Sequence, residues 1–355
     1  MIINLIKVFF PAALSFIIGI GLTPLWTAYL YKNEMWKKKA GKVSLDGKET
    51  PIFNELHKTK EVGTPRMGGV IIWASVFITI SVLWFASHFL PFEVFDKLEF
   101  LSRKQTWIPF AALLFGAFVG FVDDLYEVRG CGDHKAGGLS LKKRLLVVGL
   151  IGLLCSLWFY FKLDVHSIGF FESSLFVGLW FIPFFIAVTL FLYSGGIIDG
   201  IDGLAGGVFA IIFTGYGAIA FFQNQIDLAA LCATIVGGIL AFLWFNIPPA
   251  RFYMSETGSM ALTVTLAVIA FMTDSLGHGH GVMSLLIIAA PLVITSLSVI
   301  AQQISKRVRG KKLFLVAPLH HHFEALGWPS YKVTMRYWVM SIIFCIIGVI
   351  FALIH

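Results

Sequence analysis

Charge is what this sequence has least of. Only 13% of its 355 residues are Asp, Glu, Lys or Arg, while 58% are hydrophobic; a water-soluble domain covers its surface with about a quarter charged residues. That imbalance excludes a soluble fold. Cysteine is scarce as well. Cys131, Cys155, Cys232 and Cys345 form no C-x-x-C pair, and three of them fall in apolar runs, which reads as inert buried thiols and not as a metal or redox centre. There is no low-complexity linker and no self-similar period, so a multidomain chain and an inverted-repeat transporter are both unsupported. No ten-residue segments of alternating polarity appear, which argues against a membrane β-barrel.

Long apolar runs are what remains. A helix crosses about 30 Å of hydrocarbon with roughly 20 residues at about 1.5 Å each. Ten stretches meet that length closely enough: 4–30, 68–90, 107–122, 144–162, 175–194, 204–223, 228–246, 259–274, 282–302 and 334–354. In lipid every backbone polar group must be paired within the segment, so these runs read as helices. The expected fold is therefore an all-α integral membrane protein of about ten transmembrane helices, a single polytopic domain over residues 1–355. The first run leads into Lys37-Lys38-Lys39 without a small-residue cleavage site, so it reads as a retained helix and not a signal peptide.

The net charge of +7 follows from topology and implies no nucleic acid. Loops 31–67, 123–143, 195–203, 247–258 and 303–333, with the basic residues at their ends, hold 22 of the lysines and arginines. The opposite side holds 5: Lys7, Lys97, Arg103, Lys104 and Lys162. Positive residues accumulate on the cytoplasmic side. Those five loops are expected inside, and both termini periplasmic or extracellular.

Each inside loop carries polar residues that lipid would not tolerate without a purpose. GFVDD places Asp123 and Asp124 at one helix mouth, and YSGGIIDGIDGLAGG carries Asp199 and Asp202. FNIPPARFYMSETGS carries Asn246 and Glu256, APLHHHFEALGWP carries His320, His321, His322 and Glu324, and HKTKEVGTPRMGG carries Lys58, Lys60 and Arg66. Adjacent carboxylates repel, and a divalent cation relieves them; hard oxygens suit Mg²⁺, which leaves coordination sites for water and phosphate. Solvated acids at a helix end are the plainer reading of Asp123-Asp124. Asp199 and Asp202, three apart, would share one face of a helix, and Asp202 alternatively caps the next span. Consecutive histidines do not share a helix face, so a three-histidine metal site is poor geometry; one or two rings reaching a phosphate or sugar fit better.

GTPRMGG (63–69), GFVDD (120–124), DGIDGLAGG (199–207), FLWFN (242–246), MSETGS (254–259) and APLHHHFE (317–324) resemble, in order and spacing, the motifs of the phospho-N-acetylmuramoyl-pentapeptide transferases within the polyprenyl-phosphate HexNAc-1-phosphate transferases. The triple-histidine block is the most specific of them, and the resemblance spans nearly the whole chain. It implies a ten-helix protein of the bacterial cytoplasmic (inner) membrane. Its reaction would pass phospho-MurNAc-pentapeptide from UDP-MurNAc-pentapeptide to undecaprenyl phosphate, giving lipid I and UMP with Mg²⁺ as cofactor. A homodimer is compatible with this reading.

Carried over by position, the resemblance makes Asp123, Asp124, Glu256, His320 and His321 catalytic, with Asp123, Asp124 and Glu256 as metal ligands. It makes Lys60, Arg66, Asp199, Asp202, Asn246, Tyr253 and His322 substrate-binding, Tyr253 as the ring that stacks on uracil. Direct attack by the lipid phosphate and a covalent aspartyl intermediate are both consistent with these residues. Departures from the pattern cluster in the same loops. FMGDxGS becomes YMSETGS, so Ser255 and Glu256 replace a glycine and an aspartate; NLTDG becomes GIIDG; GTPTMGG becomes GTPRMGG; and a lysine three after the Asp pair is Glu127. Two alternatives stay open: a sister enzyme using another UDP-HexNAc donor, and a non-catalytic lipid-phosphate binder or transporter.

Overall fold

The structure, a computed structural model, describes residues 1–38, 62–131, 138–170, 173–276 and 280–354. In chain order its helices are α1 (Ile2–Lys32), α2 (Val70–Phe89), α3 (Glu93–Leu98), α4 (Trp107–Arg129) and α5 (Leu141–Lys162). Two short strands follow, β1 (Ser167–Phe170) and β2 (Ser173–Phe176), paired antiparallel. Then come α6 (Phe181–Gly195), α7 (Leu204–Phe222), α8 (Ile226–Asn246), α9 (Ser255–Ser275), α10 (Gly281–Ile288), α11 (Ala290–Arg309), α12 (Leu319–Ala325) and α13 (Ser330–Leu353). Among the described residues nine helices are long and apolar enough to cross a membrane, and α10 with α11 makes a tenth if the bent pair is one span. The chain is a multi-pass membrane protein, as its composition requires.

The helix ends differ from the apolar runs in an informative way. The runs 107–122 and 259–274 are the apolar middles of longer helices, Trp107–Arg129 and Ser255–Ser275. Hydropathy marks where the hydrocarbon ends, whereas a helix continues as long as its backbone bonds do. The polar motifs GFVDD and SETGS are thereby helical, and their carboxylates are held rigidly. The run 282–302 is broken at Ala289, where α10 and α11 meet at 69°. Pro291 supplies no N–H in the first turn of α11, a position proline tolerates only at a helix start.

The core is organised around α9. All but one of its residues from Ser255 to Asp274 are buried, Glu256 being the exception. This helix is rich in hydroxyls that would be costly among apolar neighbours. They bond back to their own backbone instead: Thr263 to Ser259 O and Thr265 to Ala261 O, both at 2.7 Å. Helix α4 crosses α9 through Gly116 and Gly120, a small-xxx-small pair; a Cβ on Gly120 would stand 2.2 Å from Glu256 O. At the far end of α9, Asp274 accepts from Gly169 N (2.9 Å) and Val282 N (3.2 Å), tying the hairpin and α10 to the bundle.

Helix α1 lies along α8 at similarly close range. A Cβ at Gly237 would fall 2.1 Å from Ala12 O, whereas one at Gly149 on α5 would meet nothing within 4 Å. Overpacking of this kind costs about 1–3 kcal/mol, while an open helical Gly→Ala gains up to about 1 kcal/mol. Gly237→Ala should therefore lower the thermal midpoint in detergent, and Gly149→Ala should leave it unchanged or raise it.

Candidate active site

All five polar loops meet at one end of the bundle around a cavity of about 550 Å³. Its wall takes Lys37 from the chain after α1, Arg66 from the loop before α2, Glu127 from α4, and Leu141, Arg144 and Leu145 from α5. Tyr193 and Ser194 come from α6, Asp199 to Asp202 from the turn after it, and Tyr253, Ser255 and Glu256 from the approach to α9. Ser296, Val299 and Ile300 of α11 and Ser330 of α13 close the far side. Besides its charged side chains the lining includes the apolar Leu141, Leu145, Ile197, Val299 and Ile300.

The Gly120 crossing decides where the paired acids go. Asp124 stands one helical turn after Gly120, on the same face, and so meets the first turn of α9. It accepts hydrogen bonds from Glu256 N (3.3 Å), Thr257 N (2.9 Å) and Thr257 Oγ1 (2.6 Å). No side chain of α9's own cap position does this; a carboxylate from a neighbouring helix satisfies the first-turn N–H groups and faces the positive end of the helix dipole. Asp123 points elsewhere. Its Oδ1 accepts from Leu139 N at 2.6 Å, and its Oδ2, which has no aligned hydrogen bond among the described residues, lies 3.1 Å from Arg144 Nη2.

Arg144 is the hub of this corner. Its Nη1 donates to Glu256 Oε1 at 2.8 Å and its Nε to Leu139 O at 3.0 Å. One guanidinium thus bridges Asp123 and Glu256 in the planar, multi-donor manner that suits arginine. Tyr193 Oη adds a longer bond to Glu256 Oε2, 3.4 Å. Neither Arg144 nor Tyr193 stands out in the sequence. Arg144 ends a Lys-Lys-Arg run that reads simply as a positive helix end, and Tyr193 sits in an apolar span.

Asp199 and Asp202 do not share a helix face. Helix α6 ends at Gly195, a single 3-10 turn follows over Gly196–Ile198, and residues 199–203 form a turn before α7. Asp199 accepts from Ser255 N at 2.8 Å and Asp202 from Ala250 N at 3.3 Å, so Asp202 does not cap α7, which has no side-chain cap. Asn246 is buried and divides its amide between Gly203 N (2.9 Å) and Phe252 O (2.8 Å), pinning this turn to the segment that carries Tyr253. Ser255 has φ of 58°, the left-handed region where the resembled motif has glycine. The bond from its N–H to Asp199 helps hold that conformation.

The histidines separate in the way their consecutive spacing dictates. His321 Nδ1 pairs with Glu324 Oε2 at 2.7 Å, and Ser330 Oγ donates to Glu324 Oε1 at 2.6 Å. A Cβ on Gly200 would lie 2.6 Å from His320 Nε2 and 2.8 Å from His321 Nε2. Both rings therefore press on the DGIDG turn, and only glycine leaves them room. His322 turns the other way, accepting from Leu315 N at 3.3 Å beside Phe314. Lys58 and Lys60 lie outside the described residues.

Among the described residues no three His, Cys, Asp or Glu side chains converge as the ligands of one ion. Mg²⁺ needs only one or two protein carboxylates, with water and phosphate completing its shell. The buried Oδ2 of Asp123, ion-paired with Arg144 but without an aligned hydrogen bond among the described residues, and the carboxylate of Glu256 could supply two such oxygens.

The chain is a polytopic helical bundle with carboxylates, basic side chains and histidines gathered at one end, and its residues 106–274 match the family described as Glycosyl transferase family 4, a transferase class. Over 342 residues, 95% of each chain, the protein is 35% identical to the phospho-N-acetylmuramoyl-pentapeptide-transferase of Listeria monocytogenes serovar 1/2a. It is 30% identical to that of Geobacillus sp. over 95% of each chain, and 34% identical to that of Rickettsia massiliae over 96% of this chain and 92% of the other. The chain belongs to the phospho-N-acetylmuramoyl-pentapeptide-transferase family.

Two stability outcomes follow from the geometry. Asp124→Ala removes the acceptor for three donors at the head of α9 and should lower the thermal midpoint more than Asp123→Ala; loss of a cap costs about 0.5–2 kcal/mol. Ser255→Gly relieves a left-handed residue, worth about 1–2 kcal/mol, and should raise the midpoint. Thermal unfolding of the four purified proteins, wild type included, reads both.

Proposed function

We propose that the chain transfers phospho-N-acetylmuramoyl-pentapeptide from UDP-MurNAc-pentapeptide to undecaprenyl phosphate, forming lipid I and releasing UMP, on the cytoplasmic face of the bacterial inner membrane. The observation that carries this is the cavity itself. It gathers charged side chains that suit a nucleotide and apolar ones that suit a polyprenyl chain, in a family named for this transfer.

The electrostatics support a metal-assisted phosphoryl transfer. Lys37, Arg66 and Arg144 line the cavity together with Glu127, Asp199, Asp202 and Glu256, and Asp123 and Asp124 are buried beside it. Acids outnumber bases, yet both substrates carry phosphate. Mg²⁺, held by Asp123 and Glu256 with Asp124 fixing the backbone of Glu256, would offset that negative charge and the charge of the transition state. Asp123 would take the proton from the acceptor phosphate. An oxygen of that phosphate forms a bond to the sugar-bearing phosphorus of the donor, and the bond from this phosphorus to the oxygen of the leaving UMP breaks. Tyr253 would cover the uracil, and His321, oriented by Glu324, would present Nε2 to the phosphate region.

Purified protein in detergent, given both substrates and Mg²⁺, should release UMP; EDTA should stop the reaction. UDP-GlcNAc in place of the muramyl donor should give none, and turnover with it alone would favour the sister-enzyme reading. Asp123→Asn should reduce kcat by at least about 100-fold, the lower range for loss of a general base. Binding of undecaprenyl phosphate without any UMP release would contradict the proposal and favour a lipid-phosphate binder.

A further inference from the structure

The two positions at which a charge departs from the resembled motifs, 66 and 127, turn out to be in contact. Arg66 Nη1 is ion-paired with Glu127 Oε2, and Lys37 Nζ lies 3.1 Å from Glu127 Oε1. The three side chains are at most 17% exposed and all line the cavity. Glu127 is one helical turn beyond Asp123 on α4, so it faces the same way.

The backbone around this trio is fixed on both sides. Arg66 N donates to Met35 O at 2.7 Å, two residues from Lys37. Pro65 O accepts from Tyr253 N at 2.9 Å, and Gly68 N donates to Tyr253 O at 2.8 Å, so Arg66 is anchored beside Tyr253. Trp26 Nε1 donates to Met67 O at 3.0 Å and holds the same loop to α1. The remaining described base of the wall, Arg144, is placed differently, between Asp123 and Glu256.

We propose that Glu127 is a positioning residue that sets Arg66 and Lys37 as a pair of cations for the diphosphate of a uridine nucleotide, a reading that rests on the transferase assignment above. Burying two cations side by side is costly unless an acid lies between them. Glu127 meets that cost and fixes the pair in the wall, and arginine offers a bidentate fork to phosphate. A cation at position 127 with a neutral residue at 66 would serve the same end from the opposite partner, which makes the arrangement testable by exchange.

The test uses UDP as the probe, with affinity measured by calorimetry on the full chain in detergent, so no turnover is needed. Arg66→Thr should weaken UDP binding at least tenfold, and adding Glu127→Lys to that variant should restore it to within about threefold of wild type, a coupling that independent sites do not show. Glu127→Gln should weaken binding at least fivefold, with Glu127→Asp recovering most of the loss. Thermal midpoints are recorded for each variant. Variants that lose stability but keep the UDP affinity of wild type would overturn the proposal, as would a double variant no better than Arg66→Thr. Wild type that binds UDP with the expected coupling but releases no UMP would defeat the transferase reading and leave this pair standing. Wild type that does not bind UDP would overturn both.

Discussion

The bond between Asp124 and the first turn of α9 is the constraint from which the rest of the site follows. A carboxylate near membrane depth must find donors within the protein, and α9, the most buried helix, begins with N–H groups that need an acceptor. Each meets the other's need: Asp124 takes Glu256 N, Thr257 N and Thr257 Oγ1. The meeting is made by Gly116 and Gly120, which let α4 and α9 approach closely enough. Once these two helices are joined, Asp123 and Glu256 are fixed side by side, and the Arg144 guanidinium fills the space between them.

Ion pairs group the charge around the cavity into two neighbouring sets. Arg144 pairs with Asp123 and Glu256; Glu127 pairs with Arg66 and Lys37, beside the loop bonded to Tyr253. In each set one side chain holds two partners of opposite charge, so neither set rearranges freely. The lengthening of an aspartate to Glu256 is absorbed in the same way. Its backbone N–H is held by Asp124 while its carboxylate reaches Arg144 and Tyr193.

Most of the architecture was legible in the sequence because lipid imposes a single length rule, and because polar residues in such a chain are rare enough to stand out. Asp123, Glu256 and Arg66 could be chosen on that ground alone, whereas Tyr253 is marked only by the family resemblance. Other parts leave no such mark. Arg144 is one of three consecutive basic residues at a helix start, and nothing local distinguishes it from Lys142 or Lys143. The bend at Ala289 falls within an unbroken apolar run with only Pro291 as a sign. Asp199 and Asp202 have the spacing of one helical face, but their glycines favour a turn, and the partners that hold it, Ser255 N and Ala250 N, lie some fifty residues further along. Local spacing specifies local structure; these contacts depend on how distant helices cross.

For the proposed phosphoryl transfer, Asp123 and Glu256, fixed by the α4–α9 junction and bridged by Arg144, would have to hold a divalent cation. Electron paramagnetic resonance of Mn²⁺ titrated into the purified protein with UMP tests it most directly. The account predicts one bound ion per chain in the wild type, and loss of that binding in both Asp123→Asn and Glu256→Gln. Mn²⁺ binding that is unchanged in the two variants would contradict it.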